Sequence, residues 1–122
     1  MAATELSTKI HDAICTNVDR IQEEMISFLQ DLVRIPTVNP PGEVYREGAE
    51  LIGDQLKRFG YEISYIEAEG MKEHTEAYPR VNVFGRMKGS TPRPSLHFNG
   101  HFDVVPVGSG WTRDPFAATI ED

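Results

Sequence analysis

The hydrophobic period of this chain changes once, at Gly60, and that change sets the order of its elements. Before Gly60 the apolar residues recur at steps of four and three, which suits an amphipathic helix; after it they alternate with polar ones, which suits a half-buried strand. Ile14, Val18, Ile21, Met25, Phe28, Leu32 and Ile35 trace one face, so one helix packed on a sheet is predicted up to Pro36. Gln22, Glu23, Ser27, Gln30, Asp31 and Arg34 fall off that face and are expected in water. A coiled-coil seam is the competing reading, but it needs three or four sustained heptads. Ser7 and Thr16 are candidate N-caps. Pro36 ends the helix, because the residue before a proline is pushed out of the helical region. Cys15 is expected as a small core-facing residue.

Thr37-Val38-Asn39-Pro40-Pro41-Gly42 reads as a rigid loop, two prolines fixing φ and a glycine freeing it. Tyr45, Ala49, Ile52, Leu56 and Phe59 then predict a second helix, with Gly60 as its C-terminal cap. Strands are predicted at 61–65, 81–84, 95–99 and 116–120, separated by loops at 67–79 and 88–94. Glu121-Asp122 resembles the entry to a tight turn. A final strand without its neighbour exposes an edge that native domains cover, so part of the domain is expected elsewhere. The pattern as a whole predicts an α/β fold in which helices cover a mixed sheet.

Composition narrows the function classes. Of 122 residues, 39% are hydrophobic and 25% charged, which argues against a disordered or a membrane-embedded chain. The formal net charge is −7 and no basic stripe carries interleaved aromatics, which argues against nucleic-acid binding. Cys15 is the only cysteine, so neither an intramolecular disulfide nor a Cys-x-x-Cys metal site exists. The start of the chain lacks a basic segment followed by an apolar run, and no stretch approaches the roughly 18 apolar residues of a membrane span. A cytoplasmic setting is the expectation.

The chemistry centres on His101 and Asp103. In an extended segment residues two apart point the same way, so both side chains share one side and Phe102 takes the other. Gly100 leaves room for close approach. A neutral imidazole is a good zinc ligand, and its second ring nitrogen usually needs a carboxylate to fix tautomer and orientation. The strand at 95–99 delivers the pair at its carboxyl end, where ligands of open α/β sheets gather. Taken alone, His-x-Asp is better explained by a histidine capping a strand and an aspartate bonding a nearby turn.

The surroundings say more. Asn99 through Pro106 and Trp111 through Phe116 closely resemble the first metal motif of the dinuclear zinc aminoacylase and carboxypeptidase family, in its acetylornithine deacetylase and succinyl-diaminopimelate desuccinylase branch. The stretch from Leu32 to Gly42 is similar to that branch as well. The resemblance implies that residues 1–122 form the N-terminal part of a zinc-peptidase-like catalytic domain. It makes His101 a ligand of one metal ion and Asp103 the catalytic-site carboxylate that orients it. It further implies two Zn²⁺ per intact subunit, with Co²⁺ or Mn²⁺ as alternatives, and a homodimer that cleaves N-acyl amino acids through metal-bound hydroxide. Trp111, Asp114, Pro115 and Phe116 would serve packing and a turn. His11, His74 and His97 match no ligand of the family: His97 is expected as a paired strand histidine, and the other two as exposed. The alternative is a non-catalytic remnant or partner-binding module of the same fold.

Overall fold

The N-terminal apolar stripe forms two helices rather than one. In the computed structural model, which describes residues 2–121, α1 spans Ala2–Arg20 and α2 spans Gln22–Arg34, with Ile21 between them. Ile21 has φ −104° and ψ 9°, and its N–H is shared between the carbonyls of Asn17 and Val18 at 3.2 Å each. Met25 N–H still bonds Ile21 O at 2.9 Å, so the apolar stripe runs on across the break and hides it from periodicity. Ser7 and Thr16 therefore lie inside α1 rather than at its start. The stop at Pro36 is as expected: Arg34 is the last helical residue, and Ile35 is extended at φ −92° and ψ 106°.

The packing of this first segment differs from expectation. Leu6, Ile10, Ile14 and Val18 are exposed along α1, and so is Cys15, which does not face a core. Periodicity identifies which face is apolar; it does not say whether a partner covers it. Gln30 departs the other way. It is half-buried, and its Nε2 donates to Ala118 O at 2.7 Å.

Helix α3 spans Tyr45–Arg58 and carries most of the buried residues, with Tyr45, Gly48, Ala49 and Gly53 enclosed. It ends in a Schellman motif: Gly60 N–H bonds Lys57 O at 2.9 Å and Tyr61 N–H bonds Leu56 O at 3.1 Å. Gly60 has φ +87°, which a side chain would strain, so glycine is required there.

Tyr61 then leads into β1 (Glu62–Glu67), which pairs antiparallel with β2 (Val81–Arg86), Glu62 opposite Arg86 and Glu67 opposite Val81. Helix α3 packs on this pair through close approach at two glycines. A Cβ on Gly53 would lie 2.9 Å from Tyr65 Cζ, and one on Gly85 would lie 3.0 Å from Leu56 Cδ1. The buried centre is small: Ala49, Tyr45, Val81 and Thr37.

The architecture is therefore a small α/β arrangement of three helices and a two-stranded antiparallel sheet, not a mixed sheet. Its parallel element is an isolated bridge between Val38 and Val104. The strands expected at 95–99 and 116–120 do not form. Both stretches have apolar residues in the right places, but no neighbouring strand lies beside them among the described residues, and a strand is defined by its partner. The turn expected at Glu121-Asp122 includes Asp122, which lies outside the described residues.

The consequence is open apolar surface. The chain exposes 10233 Å², against about 6,600 Å² for a compact monomer of this mass. Leu96, Phe98 and Val105, on either side of the histidine motif in sequence, are each about 80% exposed. Among the described residues, no helix is long and apolar enough to cross a membrane.

Candidate metal centre

Residues 100–104 have no sheet on which to rest, so their position is set by bonds from the loop after α2. The bridge supplies two: Val104 N–H donates to Thr37 O at 3.0 Å, and Asn39 N–H donates to Val104 O at 2.8 Å. Thr37, buried, adds a third, its hydroxyl donating to Phe102 O at 2.7 Å. The Phe102 ring meets the Tyr45 ring edge-on, with centroids 5.6 Å apart and planes at 70°. Gly48 of α3 makes room for this junction. A Cβ there would lie 2.9 Å from Thr37 Cγ2 and 3.2 Å from Phe102 Cδ2. Gly100 plays no such part, since a Cβ on it would meet nothing within 4 Å.

With the backbone so held, His101 and Asp103 come together. His101 Nδ1 lies 3.0 Å from Asp103 Oδ1 and 3.1 Å from the Asp103 carbonyl. Both are acceptors, so this arrangement calls for a proton on Nδ1 and turns Nε2 away from the carboxylate. The His101 side chain is 85% exposed, and Nε2 has no partner among the described residues. The other carboxylate oxygen, Asp103 Oδ2, accepts from Asn39 Nδ2 and from the Tyr45 hydroxyl, each at 3.0 Å. The bond from Asn39, with those from Tyr45 and His101 behind it, holds the Asp103 carboxyl below the usual carboxylate range despite partial burial. Burial, and then the bond to this carboxylate, push the Tyr45 phenol up to about 12.

Arg80 stands behind the pair. Its Nη1 donates to Asn39 Oδ1 at 3.0 Å, its Nη2 to Pro41 O at 2.9 Å and its Nε to Glu73 O at 3.2 Å. Its guanidinium lies 5.1 Å from the Tyr45 ring centroid. Thr37, Asn39, Tyr45 and Arg80 were not singled out for this site by the sequence. Tyr45 offered one signal, since a tyrosine on an apolar helix face needs a partner for its hydroxyl.

The remaining candidates scatter. His74 is half-buried rather than exposed: its Nδ1 accepts from Arg80 N–H at 3.1 Å, and its Nε2 lies 3.7 Å from Glu67 Oε2. His97 is exposed and not strand-paired, because its strand does not form. His11 is exposed, 3.8 Å from the Cys15 sulfur. Asp114 makes its turn, Oδ1 accepting from Phe116 N–H at 2.9 Å, whereas Trp111 is 64% exposed and packs little. Among the described residues, no group of three or more His, Cys, Asp or Glu is gathered as a metal cluster.

An imidazole steadied at Nδ1 by an anchored carboxylate, with Nε2 open, is the form in which metal-binding proteins present a histidine ligand. The donor set thus suits one ligand position and the group that orients it. Over four-fifths of its length the chain is similar to succinyl-diaminopimelate desuccinylases. It is 35% identical over 99 residues to that protein of Xanthobacter autotrophicus, with 80% of this chain and 24% of the relative covered. It is 36% identical over 100 residues to that of Methylobacterium radiotolerans and 37% over 98 residues to that of Gluconobacter oxydans; each match covers about four-fifths of this chain and 23% of the relative. The chain spans about a quarter of the length of these curated relatives. No family model matches it, and no solved structure does.

Proposed function

We propose that this chain contributes one metal ligand, His101, and its orienting carboxylate, Asp103, to a metal-dependent amidohydrolase that cleaves N-acyl amino acids of the desuccinylase type. The observation that carries this reading is the His101–Asp103 bond at 3.0 Å, which leaves Nε2 open on an exposed ring. The kinship with desuccinylases supports the reaction class.

A Zn²⁺, Co²⁺ or Mn²⁺ ion would be held at His101 Nε2. When bound, such an ion polarises an amide carbonyl and acidifies water. A catalytic zinc takes about three protein ligands, so the others come from outside residues 2–121. The part of this chain is to hold a proton on His101 Nδ1 through Asp103 and to hold Asp103 through the loop after α2. Residues 1–122 would form the front of a zinc-peptidase-like catalytic domain, in a protein that acts as a homodimer. The exposure of Leu96, Phe98 and Val105, three large apolar side chains flanking the motif, supports a larger folded unit around it.

The test is release of succinate or acetate from N-acyl amino acids by the natural-length protein, before and after chelation. Activity lost on chelation and restored by Zn²⁺ or Co²⁺, and lost in His101→Ala, is the expected outcome. Full turnover in His101→Ala would remove the residue from the site. An intact mass of 13.7 kDa for the natural protein would favour the partner-binding alternative.

A further inference from the structure

We propose that Asn39, clamped by Arg80, and Tyr45 are positioning residues that select the tautomer of His101 through Asp103. This rests on the reading of His101 as a metal ligand and adds the groups that prepare it.

Hydrogen-bond direction decides which way each of these groups faces. An asparagine amide offers an acceptor at one end and donors at the other, and its two orientations look alike until a neighbour distinguishes them. Here the neighbour is a guanidinium, which only donates and stays charged at any pH the protein survives. Arg80 Nη1 at 3.0 Å must therefore face Asn39 Oδ1, and the Asn39 NH₂ is left to face Asp103 Oδ2 at 3.0 Å. The Tyr45 hydroxyl reaches the same oxygen at 3.0 Å. Two donors on Oδ2 fix the carboxylate plane and turn Oδ1 toward His101 Nδ1. A carboxylate in that place accepts only, so the proton is drawn to Nδ1 and Nε2 is left open. The Asn39 backbone is tied as well, through its bond to Val104 O at 2.8 Å, so amide and carboxylate move as one piece.

The experiment is histidine-ring ¹⁵N–¹H correlation on the metal-free natural-length protein near neutral pH, followed by Co²⁺ titration. In the wild-type protein the neutral His101 ring should carry its proton on Nδ1, and the tautomer is read from that neutral form. Asn39→Ala combined with Tyr45→Phe should give a mixture containing the Nε2–H form, with backbone amide signals away from residues 37–45 and 101–104 unmoved. Weakening of Co²⁺ binding by about tenfold should accompany it, the low end of what outer-shell partners contribute. Arg80→Lys, which keeps the charge but loses the fork, should produce the mixture in part. A single Nδ1–H form retained in the double variant would overturn the inference, as would an Nε2–H form in the wild-type protein. A failure of the proposed reaction shows differently, as absent hydrolysis beside an Nδ1–H His101 that answers to these substitutions.

Discussion

Gly48→Ala pits two effects of known size against each other. In a helix interior alanine is favoured over glycine by about 1 kcal/mol, so a free position in α3 would gain stability. This position is not free. The new methyl would lie 2.9 Å from Thr37 Cγ2 and 3.2 Å from Phe102 Cδ2 and Cε2, inside ordinary carbon contact at roughly 3.5–4.0 Å. Thr37 cannot turn aside, because it is 4% exposed and its hydroxyl is committed to Phe102 O at 2.7 Å. Overpacking of this kind costs about 1–3 kcal/mol, and loss of the hydroxyl bond adds about 1 kcal/mol. The net expectation is destabilisation of about 1–3 kcal/mol. Urea unfolding of the natural-length protein measures it, with Gly53→Ala beside it as a comparison. At Gly53 the close group is the Tyr65 ring, which is 42% exposed and can swing out, so that change should be near neutral. Stabilisation of Gly48→Ala by about 1 kcal/mol would refute the packing of α3 against the histidine loop.

Thr37→Val keeps the shape but deletes the donor to Phe102 O, and should cost about 1–2 kcal/mol in the same unfolding assay. Because Asp103 is held below its ordinary carboxylate value, its contribution is complete above that value and fades as pH falls below about 4. Asp103→Asn should therefore flatten the acid limb of the stability curve, and an unchanged acid limb would count against the bonds from Asn39 and Tyr45. The Tyr45 phenol is raised to about 12, so its contribution is whole below about pH 10 and is lost as pH climbs toward 12. Tyr45→Phe should remove that alkaline step from an unfolding profile read by circular dichroism. Arg80→Lys should cost about 1–2 kcal/mol, since an ammonium cannot bridge Asn39 and Pro41 in the fork geometry; stability equal to wild type would contradict it.

What was legible in the sequence was local. The stop at Pro36 and the cap at Gly60 follow from the allowed backbone of single residues, and the strand expected at 61–65, observed as Glu62–Glu67, follows from alternation over a few. The His101–Asp103 pair is local too, two residues apart in an extended segment. What escaped depends on distant neighbours. Asn39 and Tyr45 meet Asp103 from 64 and 58 residues away, and Gln30 meets Ala118 from 88. No window of sequence reports such distances. The stretches 95–99 and 116–120 failed for a related reason: alternation describes faces, whereas a strand needs a neighbour. The α1 stripe was read correctly as apolar and wrongly as covered.

The bridge between Val38 and Val104 bears on how the chain acquires its shape. Its partners are separated by 66 residues, whereas α1, α2, α3 and the β1–β2 hairpin close over short spans. Loop closure over such a distance must be met before the contact returns anything, so the histidine loop should dock last in folding. The same order, run backward, makes it the first part to open in the folded protein. Amide hydrogen exchange should accordingly be faster at Asn39 and Val104 than along β1 and β2. The segment that presents His101 would then be less protected than the β1–β2 hairpin, held by bonds from the loop after α2 and from Tyr45.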